Sequence, residues 1–145
     1  MPVILAHLEK IAYKHGAHYA YMIRVRDLFK EVQQEMAQHM QKEELVLFPR
    51  IVEMEKAQNN EQLFAFSENY ISGPISMMEM EHEIAGDKMF EIRGLTNSYE
   101  IPAGACTTFQ ICLSELKEFE EDLHQHVHLE NNILFPRARR GTLSV

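Results

Sequence analysis

The sequence predicts an all-α fold, an antiparallel four-helix bundle. Apolar residues recur at the helical period through nearly all of the 145 residues, and the two-residue alternation of half-buried strands is found almost nowhere. Clusters of glycine, proline and asparagine divide the chain into four principal helices. A chain of this length suits one domain with a sizeable core, and four helices in one small domain bury their apolar stripes against one another.

The elements follow in order. A first helix is predicted over Pro2–Lys14, with proline tolerated in its first turn, and Gly16 breaks or bends the chain. A second, long helix over His18–Ala57 turns Tyr21, Val25, Leu28, Phe29, Val32 and Met36 toward the core. A kink is expected at Pro49, whose ring and missing N–H interrupt the hydrogen-bond ladder. Gln58-Asn59-Asn60 reads as a turn, and Glu61 to Phe66 as one or two helical turns. Gly73-Pro74 opens a third helix over Ile75–Leu95. Thr96-Asn97-Ser98 and Pro102-Ala103-Gly104 bracket a loop, and a fourth helix runs over Ala103–Phe135. The domain is read as residues 1–138, followed by a basic, frayed tail over 139–145.

A formal charge of −8 disfavours unspecific binding to nucleic acid or anionic lipid. Cys106 and Cys112 do not make a disulfide framework and read as reduced thiols. The start of the chain lacks a secretory pattern, and no apolar run approaches a membrane span, so a cytoplasmic location is expected. No nucleophile–base arrangement or phosphate loop is visible, which leaves hydrolase and kinase chemistry unsupported and enzymatic status open.

Eight histidines raise the question of metal, because neutral imidazole is the commonest protein metal ligand. Two of them sit in an internal echo: His39 with Glu43, then Leu47-Phe48-Pro49, and His126 with Glu130, then Leu134-Phe135-Pro136. Residues four apart on a helix differ by about 40° and are neighbours on one face. Each pair therefore offers an imidazole and a carboxylate to one point. Val32, Met36 and Val46 place the first pair on a core-facing stripe, and Phe119, Leu123 and Ile133 do the same for the second. A lone buried histidine reads as a satisfied core residue. Two imidazoles and two carboxylates in one interior do not, since uncompensated buried carboxylates are penalised by several kcal/mol, on the order of a whole domain's margin. His82, with Met78, Ala85 and Met89, and His15, with Leu8, Ile11 and Met22, fall on further stripes and join as candidate ligands. Gly86 is read as giving a neighbouring helix room beside His82.

Four imidazoles and two carboxylates exceed one structural zinc and suit two metals bridged by the carboxylates, a donor set compatible with iron. His124 and His128 lie about 160° from His126 around the helix and are assigned to solvent. His7 is too far along its helix to share the site of His15, and His18 is ambiguous. The ferritin-like pattern, Glu-x-x-His on two helices, is matched in spacing by Glu79 with His82 and by Glu121 with His124. The second lies off the stripe, and Glu79 reads instead as an outer partner of His82.

At these motifs the chain resembles a known family. The segment from His39 to Pro49, the stretches Gly73-Pro74-Ile75, Glu81-His82-Glu83 and Ala85-Gly86, then Ala105-Cys106-Thr107-Thr108 and His128 to Ala138, are similar to hemerythrin-like proteins that repair damaged iron centres. The similarity runs from Pro2 to Ala138. It implies a left-handed four-helix bundle with a non-haem di-iron centre, terminal ligands His15, His39, His82 and His126, and bridging carboxylates Glu43 and Glu130. It also implies a role in restoring iron–sulfur clusters after nitrosative or oxidative damage, with iron supply as the chemistry and iron–sulfur proteins as clients. The alternative is a module that binds or senses oxygen or nitric oxide. The family's first histidine falls upstream of the position matching Pro2, as does its N-terminal domain with a cysteine pair. The resemblance therefore predicts one metal with fewer protein ligands than its neighbour, and apolar surface that a homodimer would cover.

Overall fold

The computed structural model describes residues 2–59 and 68–143; the readings of Asn60 as a turn residue and of Glu61 to Phe66 as helical turns lie outside them. The described residues are helices and connecting turns, with no strand among them. Helix α1 spans Pro2–His15, α2 Tyr21–Lys42, α3 Phe48–Asn59, α4 Glu68–Leu95, α5 Thr107–Leu129 and α6 Phe135–Leu143. Two five-residue π-turns, Glu43–Leu47 and Glu130–Leu134, join α2 to α3 and α5 to α6. From Tyr21 and from Thr107 onward the long second and fourth helices of the sequence reading are helical, with a widened turn in each; His18 stands in the turn before α2, and Gln58 and Asn59 continue α3 instead of turning. No helix among the described residues is long and apolar enough to cross a membrane.

Two of the boundaries that differ from expectation have an evident local reason. Helix α4 begins at Glu68 and runs through Pro74 because the carbonyl that Pro74 leaves without a donor has another one. That carbonyl belongs to Tyr70, four residues earlier, and Arg50 donates to it at 2.8 Å, with the guanidinium also lying 4.6 Å over the Tyr70 ring. The usual cost of proline inside a helix, about 3 kcal/mol, is reduced because no carbonyl is orphaned. Helix α5 begins at Thr107 rather than Ala103, because Gly104 takes φ +80 and turns the chain out of helical geometry just before it. The basic tail is helical as far as Leu143, and Arg139 is tied to Glu79 at 2.5 Å.

The chain divides into two compact units. The first comprises Met1–Glu35 and Ile84–His124. Its core is the stripe read from the sequence: Leu8, Ile11, Met22, Val25, Leu28, Phe29 and Val32 are buried, with Met89, Ile92, Phe109, Leu113 and Leu116. Each such side chain contributes about 1.5–3 kcal/mol by leaving water. Phe29 and Phe119 meet edge to face at 5.1 Å. The second unit comprises Met36–Glu83 and Gln125–Val145, with Leu47, Met54, Ile71, Ile75, Met78 and Phe135 as its core.

The first unit also buries a polar knot. After α4, Asn97, Ser98 and Tyr99 all take positive φ, a conformation L-residues other than Asn and Asp visit rarely. Thr96 holds it, accepting from the Tyr99 N–H at 3.1 Å and donating to the Ile92 carbonyl at 2.9 Å. The Tyr99 hydroxyl donates to the buried carboxylate of Glu120 at 2.9 Å; burial and that carboxylate push its pKa well above the usual phenol range. Tyr99→Phe leaves a buried Glu120 oxygen without its donor, so a destabilisation of about 1–3 kcal/mol is expected, read by urea denaturation. A loss within about 0.3 kcal/mol, roughly measurement error, would show that the knot contributes nothing.

Candidate metal centre

The two echoed pairs fold as the spacing requires. His39 stands near the end of α2 and Glu43 opens the first π-turn; His126 stands near the end of α5 and Glu130 opens the second. His82 comes from the middle of α4. His39 Nε2 lies 2.8 Å from Glu43 Oε1, and His126 Nε2 lies 2.5 Å from Glu130 Oε1. His82 Nε2 is 3.1 Å from His39 Nε2 and 3.1 Å from Glu130 Oε1. The potential ligand atoms of His39, Glu43, His82, His126 and Glu130 all lie within 4.8 Å of one another, the one such cluster among the described residues. All five belong to the second unit.

His39, His82, Glu43 and Glu130 are buried, whereas the His126 side chain is 38% exposed. The outer nitrogens show why the inner ones converge. His39 Nδ1–H donates to Glu81 Oε1 at 3.0 Å, and Lys42 in turn donates to Glu81 Oε2 at 2.7 Å. His82 Nδ1–H donates to Asn131 Oδ1 at 3.0 Å, and Phe135 stacks on the His82 ring at 6.0 Å and 7°. Each outer bond fixes the tautomer that turns an Nε2 lone pair inward, as partners of metal-bound histidine do. Sequence reasoning misses both partners. Glu81 and Asn131 sit directly beside candidate ligands, but adjacency along a helix does not reveal which neighbour reaches an outer nitrogen. Glu79 is occupied by Arg139 and does not serve His82.

The electrostatics are those of a site in which protons stand where a cation would. Burial alone would lower the pKa of His39, but the carboxylates of Glu130, Glu43 and Glu81 around it outweigh it and push it up to about 10. The Glu130 carboxylate beside it raises His126. Burial lifts the Glu43 carboxyl. Glu130 is held far below the usual carboxylate range by His126, His39 and His82, against the opposing effect of its own burial.

Whether the residues suit a metal is decided by what remains unsatisfied. Glu43 Oε1, His126 Nε2 and Glu130 Oε2 are buried atoms without a well-formed hydrogen bond, and each such group costs about 1–3 kcal/mol. All three belong to the cluster. A cation there would satisfy them together, and three imidazoles with two carboxylates are a donor set that iron accepts.

Among the remaining sequence candidates, His15 is not brought into this cluster. It ends α1 in the first unit, its carbonyl accepts from Tyr19 N–H at 2.8 Å, and its ring lies 6.3 Å from that of Phe109. The cluster brings together three of the four imidazoles expected as ligands. His124 and His128 are exposed as expected, His7 pairs with Glu115 at 2.7 Å, and the His18 side chain takes no part in the cluster. A Cβ on Gly86 would meet nothing within 4 Å, so no close helix approach explains that glycine. Cys106 and Cys112 are free thiols; burial pushes Cys112 up to about 12.

The comparisons with known proteins agree with this arrangement. The family model described as the hemerythrin HHE cation-binding domain matches residues 3–138. Similar relatives include the iron–sulfur cluster repair protein YtfE of Dickeya chrysanthemi (strain Ech1591), 38% identical over 141 residues, which are 97% of this chain and 58% of that protein. The iron–sulfur cluster repair protein YtfE of Yersinia pestis (strain Pestoides F) is 36% identical over the same share of each chain. This chain therefore spans a little over half the length of those relatives. With a histidine–glutamate metal-binding cluster on an all-α scaffold, the chain belongs to the hemerythrin HHE cation-binding domain family.

Proposed function

We infer that the cluster holds two non-haem iron ions bridged by Glu43 and Glu130, with His39, His82 and His126 as terminal ligands. The chain would then help to restore iron–sulfur clusters damaged by nitrosative or oxidative stress, by supplying iron to cytoplasmic iron–sulfur proteins. The function for which the relatives are named supports the process. The observation that favours iron supply is the gradation of the three imidazoles. His39 is sealed and backed by a carboxylate, His82 is sealed and backed by an amide, and His126 is open to solvent. A cation held on such a set is gripped from the buried side and released at the His126 edge. Bound iron brings redox and Lewis-acid chemistry, so the same site meets the requirements for binding oxygen or nitric oxide.

The test is metal analysis of anaerobically purified protein, followed by mixing with an apo iron–sulfur protein and sulfide. The expected result is about two irons per chain, by the carboxylate-bridge reasoning, with transfer to the acceptor faster than from free ferric citrate. A stable coloured oxygen adduct with no iron transfer would replace iron supply with gas binding.

A further inference from the structure

The geometry points to Pro49 and Pro136 as positioning residues: each holds the π-turn that presents one of the two cluster carboxylates. This rests on the metal-binding reading above and adds to it the device that aims Glu43 and Glu130.

An α-helix would pair the Phe48 N–H with the Glu44 carbonyl and a residue-49 N–H with that of Leu45. Proline supplies no N–H, and its ring crowds the carbonyl four residues back. The observed ladder steps over by one residue, and Phe48 N–H donates to the Glu43 carbonyl. The second turn repeats this around Pro136, where Phe135 N–H donates to the Glu130 carbonyl. Leu45 and Asn132, whose carbonyls the prolines leave without a helical donor, are exposed residues that water can serve.

A π-turn adds one residue to the helical turn, and the burial pattern reflects it. Seven residues after His39, where an unbroken stripe continues, Val46 is 39% exposed, whereas Leu47 is fully buried. After His126, Ile133 at the same offset is 47% exposed; Leu134, one residue on, is partly buried and Phe135, two residues on, is fully buried against the His82 ring. The widened turns thus let His, Glu and the next core residue all face inward. With α geometry restored, the segment after each turn would be rotated by about 100° relative to the segment carrying the histidine and glutamate, and Val46 and Ile133 rather than Leu47 and Phe135 would continue the histidine's face.

Proline alone does not impose this. Helix α4 passes Pro74 without a π-turn, because Arg50 serves the Tyr70 carbonyl. At Pro49 and Pro136 the turn widens instead, and in both cases it begins at the cluster glutamate.

The experiment compares Pro49→Ala, Pro136→Ala and the double variant, with Pro74→Ala as control, in anaerobic titrations with ferrous iron and in metal-free melts. Each single variant is expected to weaken ferrous affinity about ten-fold or more, the scale on which outer supports of metal ligands act. The metal-free melting temperature should hold or rise, because alanine restores the helical N–H. Pro74→Ala should bind iron like the parent. Affinity equal to the parent in Pro49→Ala and Pro136→Ala would overturn the proposal, as would parallel loss of affinity and stability, the mark of ordinary structural prolines. Metal-free crystal structures of the two single variants decide the point independently. Reversion of Phe48 N–H to Glu44 supports the role and a persistent π-turn ends it. Should the parent itself bind no iron, the metal reading fails on its own, and those structures still test what the prolines do.

Discussion

His39→Ala and Glu130→Gln are expected to lose most of the bound iron, while His15→Ala, His124→Ala and His128→Ala keep it. Removing an outer partner of a metal ligand costs about 10–100-fold in affinity, and removing a ligand itself should cost at least that. His39 and Glu130 stand at the centre of the cluster: Glu130 Oε1 lies 3.1 Å from His82 and 2.5 Å from His126, and His39 touches both His82 and Glu43. His124 is instead 3.8 Å from Glu120, and His128 accepts from Asn132 at 2.9 Å. His15→Ala separates two accounts of the site, since family resemblance makes His15 a ligand and the structure leaves it out. Iron per chain by elemental analysis, with circular dichroism to confirm folding, reads the outcome. Equal iron in all five variants would remove the site; loss in His15→Ala alone would restore the resemblance over the geometry.

Helical periodicity in the sequence locates the cores and both His–Glu pairs because those features depend only on local spacing. Val32, Met36, His39 and Glu43 lie on one α-helical face, and all are buried. The same periodicity fails at Val46 and Ile133, where the π-turns move the buried face on to Leu47 and Phe135, and it marks Pro49 as a kink without locating the widened turn before it. It begins α4 too late because the donor that rescues Pro74, Arg50, is 20 residues away from Tyr70 in sequence. Such rescue depends on tertiary contact, which periodicity does not encode. His15 shares a stripe with Leu8 and Ile11, and those two are buried as expected. A stripe gives the face of a helix and says nothing of which side chains from other helices meet on it. Glu81 and Asn131 escape notice for a related reason: the side chain that reaches an outer imidazole nitrogen is selected by packing between helices.

Raising the pH above about 6.5 is expected to destabilise the metal-free protein while the iron-loaded protein holds. In the metal-free protein, His39 has a pKa raised from 6.5 to about 10. A histidine with a raised folded-state pKa contributes stability that is complete below its unfolded value and is lost as pH rises through the folded one. Glu43, pushed upward by burial, adds to the same decline. Glu130, depressed by its three histidines, contributes stability present above the ordinary carboxylate range and lost as pH falls through and below it. The metal-free fold should therefore be most stable between about pH 5 and 6.5 and weaken toward pH 10, since each tenfold change in a group's proton affinity between the unfolded and folded states is worth about 1.4 kcal/mol. Iron removes the slope, because it takes the place of those protons and binds the deprotonated ligands. Between about pH 6.5 and 10 the iron-loaded protein should hold its melting temperature while the metal-free protein falls, and the gap between them should widen. Free iron at about a hundred times its dissociation constant adds about 2.7 kcal/mol to the loaded form. Below about pH 6.5, the ordinary histidine range, protons compete successfully and the two curves should converge as iron is released. Thermal melts across this range, with ferrous iron or with chelator under anaerobic conditions, measure the gap directly. A melting temperature indifferent to chelator at every pH would mean that the five converging side chains form a metal-free polar core.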